Sequence, residues 1–151
     1  MGNAGDAPDE GAMRGIGAAL AARVRPGDVI ALSGGLGAGK TTLARGLLSA
    51  LGLVEEAPSP SFAIVQPYAP PLVRLPVAHV DLYRIEAPED VEELGLDEYL
   101  EDGVLVIEWP ERMGARMWPD ALLLDIAVEA DGARRLTAAV PFAWRDRWPL
   151  S

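Results

Sequence analysis

The chain has 151 residues, half of them apolar and 24% charged, which is the mixture of a folded domain with its own core. It contains no cysteine, which excludes disulfides and thiolate metal sites. The formal net charge of −10 argues against direct binding of nucleic acid, where clustered Lys and Arg must neutralise phosphates.

Residues 1–8 are small and polar and read as a loose arm ahead of one domain spanning residues 9–151. Asp6 stands where a myristoylation signal after Met1-Gly2 requires Ser or Thr, and no basic-then-apolar leader is expected. Asp9 to Val24 predicts a helix, with Ile16, Leu20 and Val24 on one stripe. Pro26-Gly27-Asp28 predicts a turn, and Val29-Ile30-Ala31-Leu32 a strand buried on both faces. A glycine-rich segment follows at once. Thr41 to Leu51 then predicts an amphipathic helix, with Leu43, Leu47 and Leu51 on one face and Gly52 at its end.

The charge-free stretch from Ala57 to Val73 holds five prolines, too many breakers for a membrane helix. Glu55 to Ser61 leads into it as a loop, and Phe62 to Tyr68 predicts a strand. Val77 to Tyr83 predicts another strand. Pro88 to Leu100 predicts two short helical pieces broken at Gly95. Val104-Leu105-Val106-Ile107 is a second buried strand, closing on Glu108-Trp109-Pro110. Leu122 to Val128 and Arg135 to Val140 alternate around Asp131-Gly132, a hairpin signal. The tail with Trp144 and Trp148 has no assigned place. The pattern predicts an α/β fold: a mixed sheet flanked by helices, of the phosphate-loop NTPase kind, with an antiparallel C-terminal hairpin.

Acidic residues concentrate between Glu86 and Asp102. A solvated helical face accounts for them; a docking surface for a basic protein partner is the sharper reading.

Gly34-Gly35-Leu36-Gly37-Ala38-Gly39-Lys40-Thr41 matches the phosphate-loop pattern in full. Chance would produce the bare pattern in this composition with odds on the order of one in two thousand. Glycines let the backbone wrap close to phosphates, with N–H groups inward and a helix N-terminus behind them. The predicted ligand is ATP with Mg²⁺, Lys40 reaching the β- and γ-phosphates and Thr41 placing its hydroxyl on the metal. Lys40 is the only lysine among 13 basic residues, the others being arginine. A compact ammonium fits among phosphates where a planar fork does not.

Mg²⁺ in such sites also takes an acidic residue at the end of a buried strand. Glu108 and Asp81 are the two candidates. His79, the sole histidine, reads as structural, and Arg84 as a surface cation paired with the acidic segment rather than a phosphate contact.

Four segments carry a family resemblance: Gly34 to Thr42, Ser59-Pro60-Ser61-Phe62, His79-Val80-Asp81-Leu82-Tyr83-Arg84, and Ile107-Glu108-Trp109-Pro110. In order and spacing they resemble the TsaE (YjeE) family, bacterial ATPases of tRNA threonylcarbamoyladenosine synthesis. The resemblance runs from about Gly27 to Pro110. It implies a small cytoplasmic ATPase, weak alone, acting with the TsaB–TsaD protein pair and meeting tRNA only indirectly. Its catalytic group would be Lys40, Asp81 and Glu108, with Thr41 and Glu108 on the metal. Gly35, Leu36, Gly37, Ala38, Gly39, Lys40, Thr41 and Thr42 would hold the nucleotide, with Trp109 beside it and Ser61 in a nucleotide-sensing loop. The family has Thr where this chain has Ser61, which retains a hydroxyl, and Asp where it has Gly35, outside the required loop positions.

Two other readings share the loop. A small-molecule kinase needs an acceptor pocket and an arginine-bearing lid, for which Arg112 and Arg116 are the available residues. A nucleotide-binding assembly switch needs no turnover at all.

Overall fold

A computed structural model of the chain describes residues 2–58 and 64–149. Seven strands form one sheet: β1 (Gly2–Ala7), β2 (Val29–Gly34), β3 (Val65–Tyr68), β4 (Val77–Asp81), β5 (Val104–Glu108), β6 (Leu122–Val128) and β7 (Arg134–Ala139). Their order across the sheet is β1-β7-β6-β2-β5-β4-β3. The four central strands, β6, β2, β5 and β4, run parallel. The outer pairs β1–β7, β6–β7 and β3–β4 are antiparallel. The predicted mixed sheet with its C-terminal hairpin is therefore present.

Three α-helices, α1 (Glu10–Ala21), α2 (Lys40–Ala50) and α3 (Leu96–Tyr99), accompany 3₁₀ turns at Pro88–Leu94, Pro110–Arg116 and Phe142–Trp144. The two-residue period of the strands divides the core between the faces of the sheet. Ile30, Leu32, Val104, Val106, Leu122 and Leu124 pack with Leu20, Leu43 and Leu47 of α1 and α2. Val29, Ala78, Val80, Leu105 and Ile107 pack with Val91, Leu96 and Met113 on the opposite face. Helices α1 and α2 cross at Gly17 and Gly46. A Cβ at Gly17 would lie 2.1 Å from the Leu43 carbonyl oxygen, and one at Gly46 2.2 Å from that of Arg14. Only hydrogens fit there, so α1 lies directly on the helix that follows the phosphate loop.

Three sequence expectations change. The segment read as a loose arm forms β1 instead, paired with β7 from Gly2↔Ala138 to Ala7↔Arg134. Its composition is weakly hydrophobic, but a strand needs only backbone partners, and Ala4 and Ala7 are buried as it docks. The strand predicted over Phe62 to Tyr68 is seen as Val65–Tyr68, Phe62 and Ala63 lying outside the described residues. The tail acquires a place: Trp144 is fully buried, with the Arg147 guanidinium 4.1 Å over its ring. Arg147 donates to both carboxylate oxygens of Asp28, at 2.5 and 2.7 Å, and to the Arg23 carbonyl at 2.9 Å.

Candidate functional site

The site lies where β2 and β5 end side by side, Leu32 opposite Glu108. Gly34 turns the chain out of β2 at φ +145, where a Cβ would sit 2.6 Å from the Ile126 carbonyl oxygen. The loop then runs to Lys40, which opens α2. Lys40 Nζ donates to the carbonyls of Gly34 at 2.6 Å and Gly35 at 2.9 Å. It also lies 4.2 Å from the centre of the Trp109 ring. Burial holds the Lys40 pKa below the ordinary lysine range, while the charges of Glu108, Glu111, Asp81 and Asp125 pull it back up. Phosphate oxygens would relieve that desolvation.

Thr41, next along, donates its hydroxyl hydrogen to Glu108, whose oxygens stand at 3.0 and 2.9 Å. Glu108 also accepts from His79 Nε2 at 2.6 Å. The strand period explains the convergence: His79 and Asp81 on β4 and Glu108 on β5 project to the face that carries α2. Asp81 pairs with Glu108 in register, and its Oδ1 accepts from the Tyr83 backbone N–H at 2.9 Å. Asp81 and Glu108 are 8% and 3% exposed, so both carboxylates are held largely away from bulk water.

Trp109 leaves β5 in the left-handed region, φ 60 and ψ 51, a conformation that costs a bulky residue about 1–3 kcal/mol. That backbone turn brings its ring beside Lys40. The Tyr83 ring supports it at 4.9 Å between centroids.

Leu36, Gly37, Ala38, Gly39, Lys40, Thr41, Thr42, Asp81, Glu108 and Trp109 line one cleft of about 220 Å³. Gly35 contributes the carbonyl bonded to Lys40. Ser61, with Ser59 and Pro60, lies outside the described residues. Arg84 is exposed and does not line the cleft. A second cavity, about 320 Å³, lies beyond the loop between Ala7 to Glu10, Met13, Gly37 to Gly39, Thr42, Gly132 and Arg134.

Two residues of the site escaped the sequence reading. The sequence reads His79 as structural, and its place two residues before Asp81 on a strand is the signal that sets it beside Glu108. Arg134 donates to the carbonyls of Ala38 at 2.9 Å, Gly37 at 3.1 Å and Gly132. Its contact with Ala38 spans 96 residues, and no local pattern announces it.

Among the described residues, no cluster of three or more His, Cys, Asp or Glu is arranged to hold a metal. A Mg²⁺ site sharing phosphate oxygens does not require one. The hard oxygens of Thr41 and Glu108, within 3.0 Å of each other beside the loop, fit such an ion. No helix among the described residues is long and apolar enough to cross a membrane.

Residues 7–136 match the family model described as "Threonylcarbamoyl adenosine biosynthesis protein TsaE". A Streptomyces coelicolor protein named tRNA threonylcarbamoyladenosine biosynthesis protein TsaE is 43% identical over 135 residues, covering 83% of this chain and 88% of that one. The Bacillus subtilis protein of the same name is 39% identical over 118 residues, covering 78% of this chain and 72% of its own. The crystal structure of Bacillus subtilis YdiB superimposes with a TM-score of 0.80 at 30% identity, covering 95% of this chain and 88% of that one. The phosphate loop, the paired strands that carry Asp81 and Glu108, and these relatives agree: the chain belongs to the TsaE family of tRNA threonylcarbamoyladenosine biosynthesis.

Proposed function

We propose that the chain binds ATP with Mg²⁺ and hydrolyses it, weakly alone and faster with the TsaB–TsaD pair, in the cytoplasm. Hydrolysis would drive turnover of the complex that modifies tRNA, rather than the threonylcarbamoyl transfer itself. The observation that carries this reading is the convergence of Lys40, Thr41 and Glu108 on one cleft beside the glycine loop. Backbone N–H groups of the loop and the start of α2 would hold the phosphates. Lys40 would exchange the Gly34 and Gly35 carbonyls for β- and γ-phosphate oxygens. Thr41 and Glu108 would hold Mg²⁺, which supplies charge neutralisation and orientation of the phosphates. Asp81, beside Glu108 in register, would orient the attacking water. The nucleoside would extend past Thr42 into the larger cavity, since Thr42 lines both. With a net charge of −10, this chain would leave tRNA contact to its partners.

The test is Mg²⁺-dependent ATP hydrolysis by the protein alone and with purified TsaB–TsaD. Stimulation by the pair, lost in Lys40→Ala, is the expected result. Turnover indifferent to the pair would remove the partner and keep the ATPase. Binding without turnover under either condition would leave an assembly switch. Phosphate appearing on a small metabolite would make the protein a kinase.

A further inference from the structure

We infer that Arg134 is a positioning residue for the phosphate loop, gripping it from outside so that a backbone N–H faces the nucleotide phosphates. The inference rests on the proposed phosphate-binding role of that loop. Arg134 lines the larger cavity proposed for the nucleoside and not the cleft of Lys40 and Glu108, so it stands on the side of the loop away from the phosphates. From there its Nε donates to the Ala38 carbonyl at 2.9 Å and one Nη to the Gly37 carbonyl at 3.1 Å. The other Nη donates to the Gly132 carbonyl of its own hairpin turn.

Peptide planarity turns these contacts into a constraint on the loop. In a trans peptide the carbonyl and the N–H point in opposite directions. Holding the Ala38 carbonyl toward Arg134 therefore directs the Gly39 N–H away from it, toward the cleft that Gly39 also lines. The neighbouring Ala38 N–H is already used, donating to the Gly35 carbonyl at 3.2 Å. Gly39 carries φ +113, a region where glycine has no steric restraint of its own. An external clamp removes that freedom before any ligand arrives, which lowers the ordering cost of binding.

The clamp is itself fixed. Arg134 begins β7, paired with Val128 of β6 on one side and Ala7 of β1 on the other. The N-terminal strand thus belongs to the support of the loop. A lysine in this place would keep the charge and lose the fork, because one ammonium cannot reproduce the fixed geometry of Nε and Nη.

The experiment titrates N-methylanthraniloyl-ADP with Mg²⁺ against the wild-type chain, Lys40→Ala, Arg134→Met and Arg134→Lys. Melting temperatures and the NMR order parameter of the Gly39 amide are measured on the same samples without nucleotide. Arg134→Met should weaken binding at least about tenfold, the scale of one charge-assisted hydrogen bond. Arg134→Lys should stay within about threefold of the Met variant, since it restores charge alone. In both variants the Gly39 amide order parameter should fall, as the external restraint on that peptide is lost. Wild-type affinity in Arg134→Met, or full recovery in Arg134→Lys, overturns the inference; the second result would assign Arg134 to the electrostatic field. The lysine variant keeps the stem and the charge, so it still reads the fork if the methionine variant unfolds. Absence of binding by the wild-type chain, or unchanged binding by Lys40→Ala, would instead refute the phosphate-loop reading beneath it.

Discussion

Replacing His79 by leucine should destabilise the protein through Glu108. His79 is fully buried, and its Nε2 stands 2.6 Å from a Glu108 oxygen. A hydrogen bond to a charged group contributes about 1.5–3 kcal/mol. Leucine also removes Nδ1, which is buried with no partner among the described residues, and this offsets part of the loss. A net cost of about 1–2 kcal/mol lowers the melting temperature by roughly 2–8 °C in a domain of this length. Thermal unfolding followed by circular dichroism reads that shift. The decisive comparison is a double-mutant cycle with Glu108→Met, where no oxygen remains to accept from Nε2. In that background the His79→Leu cost should fall to within about 0.5 kcal/mol of zero. An undiminished cost would show that His79 acts by packing alone and would refute its role in holding Glu108.

Lys40 gives a pH dependence with a definite sign. Its pKa is lowered in the free protein, and bound phosphates would raise it, so binding takes up a proton between the two values. Affinity for Mg²⁺-ADP should therefore fall as pH rises through the lowered Lys40 pKa; isothermal titration in buffers of different ionisation enthalpy measures the uptake, and proton release would contradict it. Chelating the metal with EDTA should weaken ATP binding at least about tenfold, because several carboxylates face the phosphates; equal affinity in a fluorescence titration would exclude that repulsion. Arg147→Met leaves Asp28 buried without its bidentate partner and should cost about 3–5 kcal/mol by thermal denaturation, with nucleotide affinity unchanged in the folded fraction.

The central parallel strands and the loop were legible because their signals are local. Val29–Leu32 and Val104–Ile107 are unbroken apolar runs, and the loop's spacing is contiguous. Glu108 closes the second of these runs and is legible for the same reason, whereas Asp81 lies inside the strand predicted over Val77 to Tyr83, which the structure ends at Asp81. What stayed hidden is held by distant partners. Strand β1 exists through backbone pairing with β7, more than a hundred residues away in sequence, and its small polar side chains carry no trace of it. His79 appeared as one histidine in an apolar strand until β4 and β5 were set in register. Trp144 and Arg147 carry no local signal, because the Arg147 fork that covers the Trp144 ring is held by Asp28, more than a hundred residues away.

The charge around Lys40 explains why this fold would demand a metal. One ammonium stands within the influence of Glu108, Glu111, Asp81 and Asp125, four acidic residues against a single cation. A bare triphosphate entering that cleft would meet repulsion strengthened by the low exposure of Glu108 and Asp81. The Arg134 fork faces the outer carbonyls of the loop rather than the cleft, and it leaves this balance to others. A divalent ion between Glu108, Thr41 and the phosphates would reverse the local sign, turning Glu108 from a repelling charge into a ligand. The hydroxyl that Thr41 now gives to Glu108 keeps that carboxylate aimed at the same point meanwhile. The same residues that would oppose free ATP would thus accept it once it carried Mg²⁺.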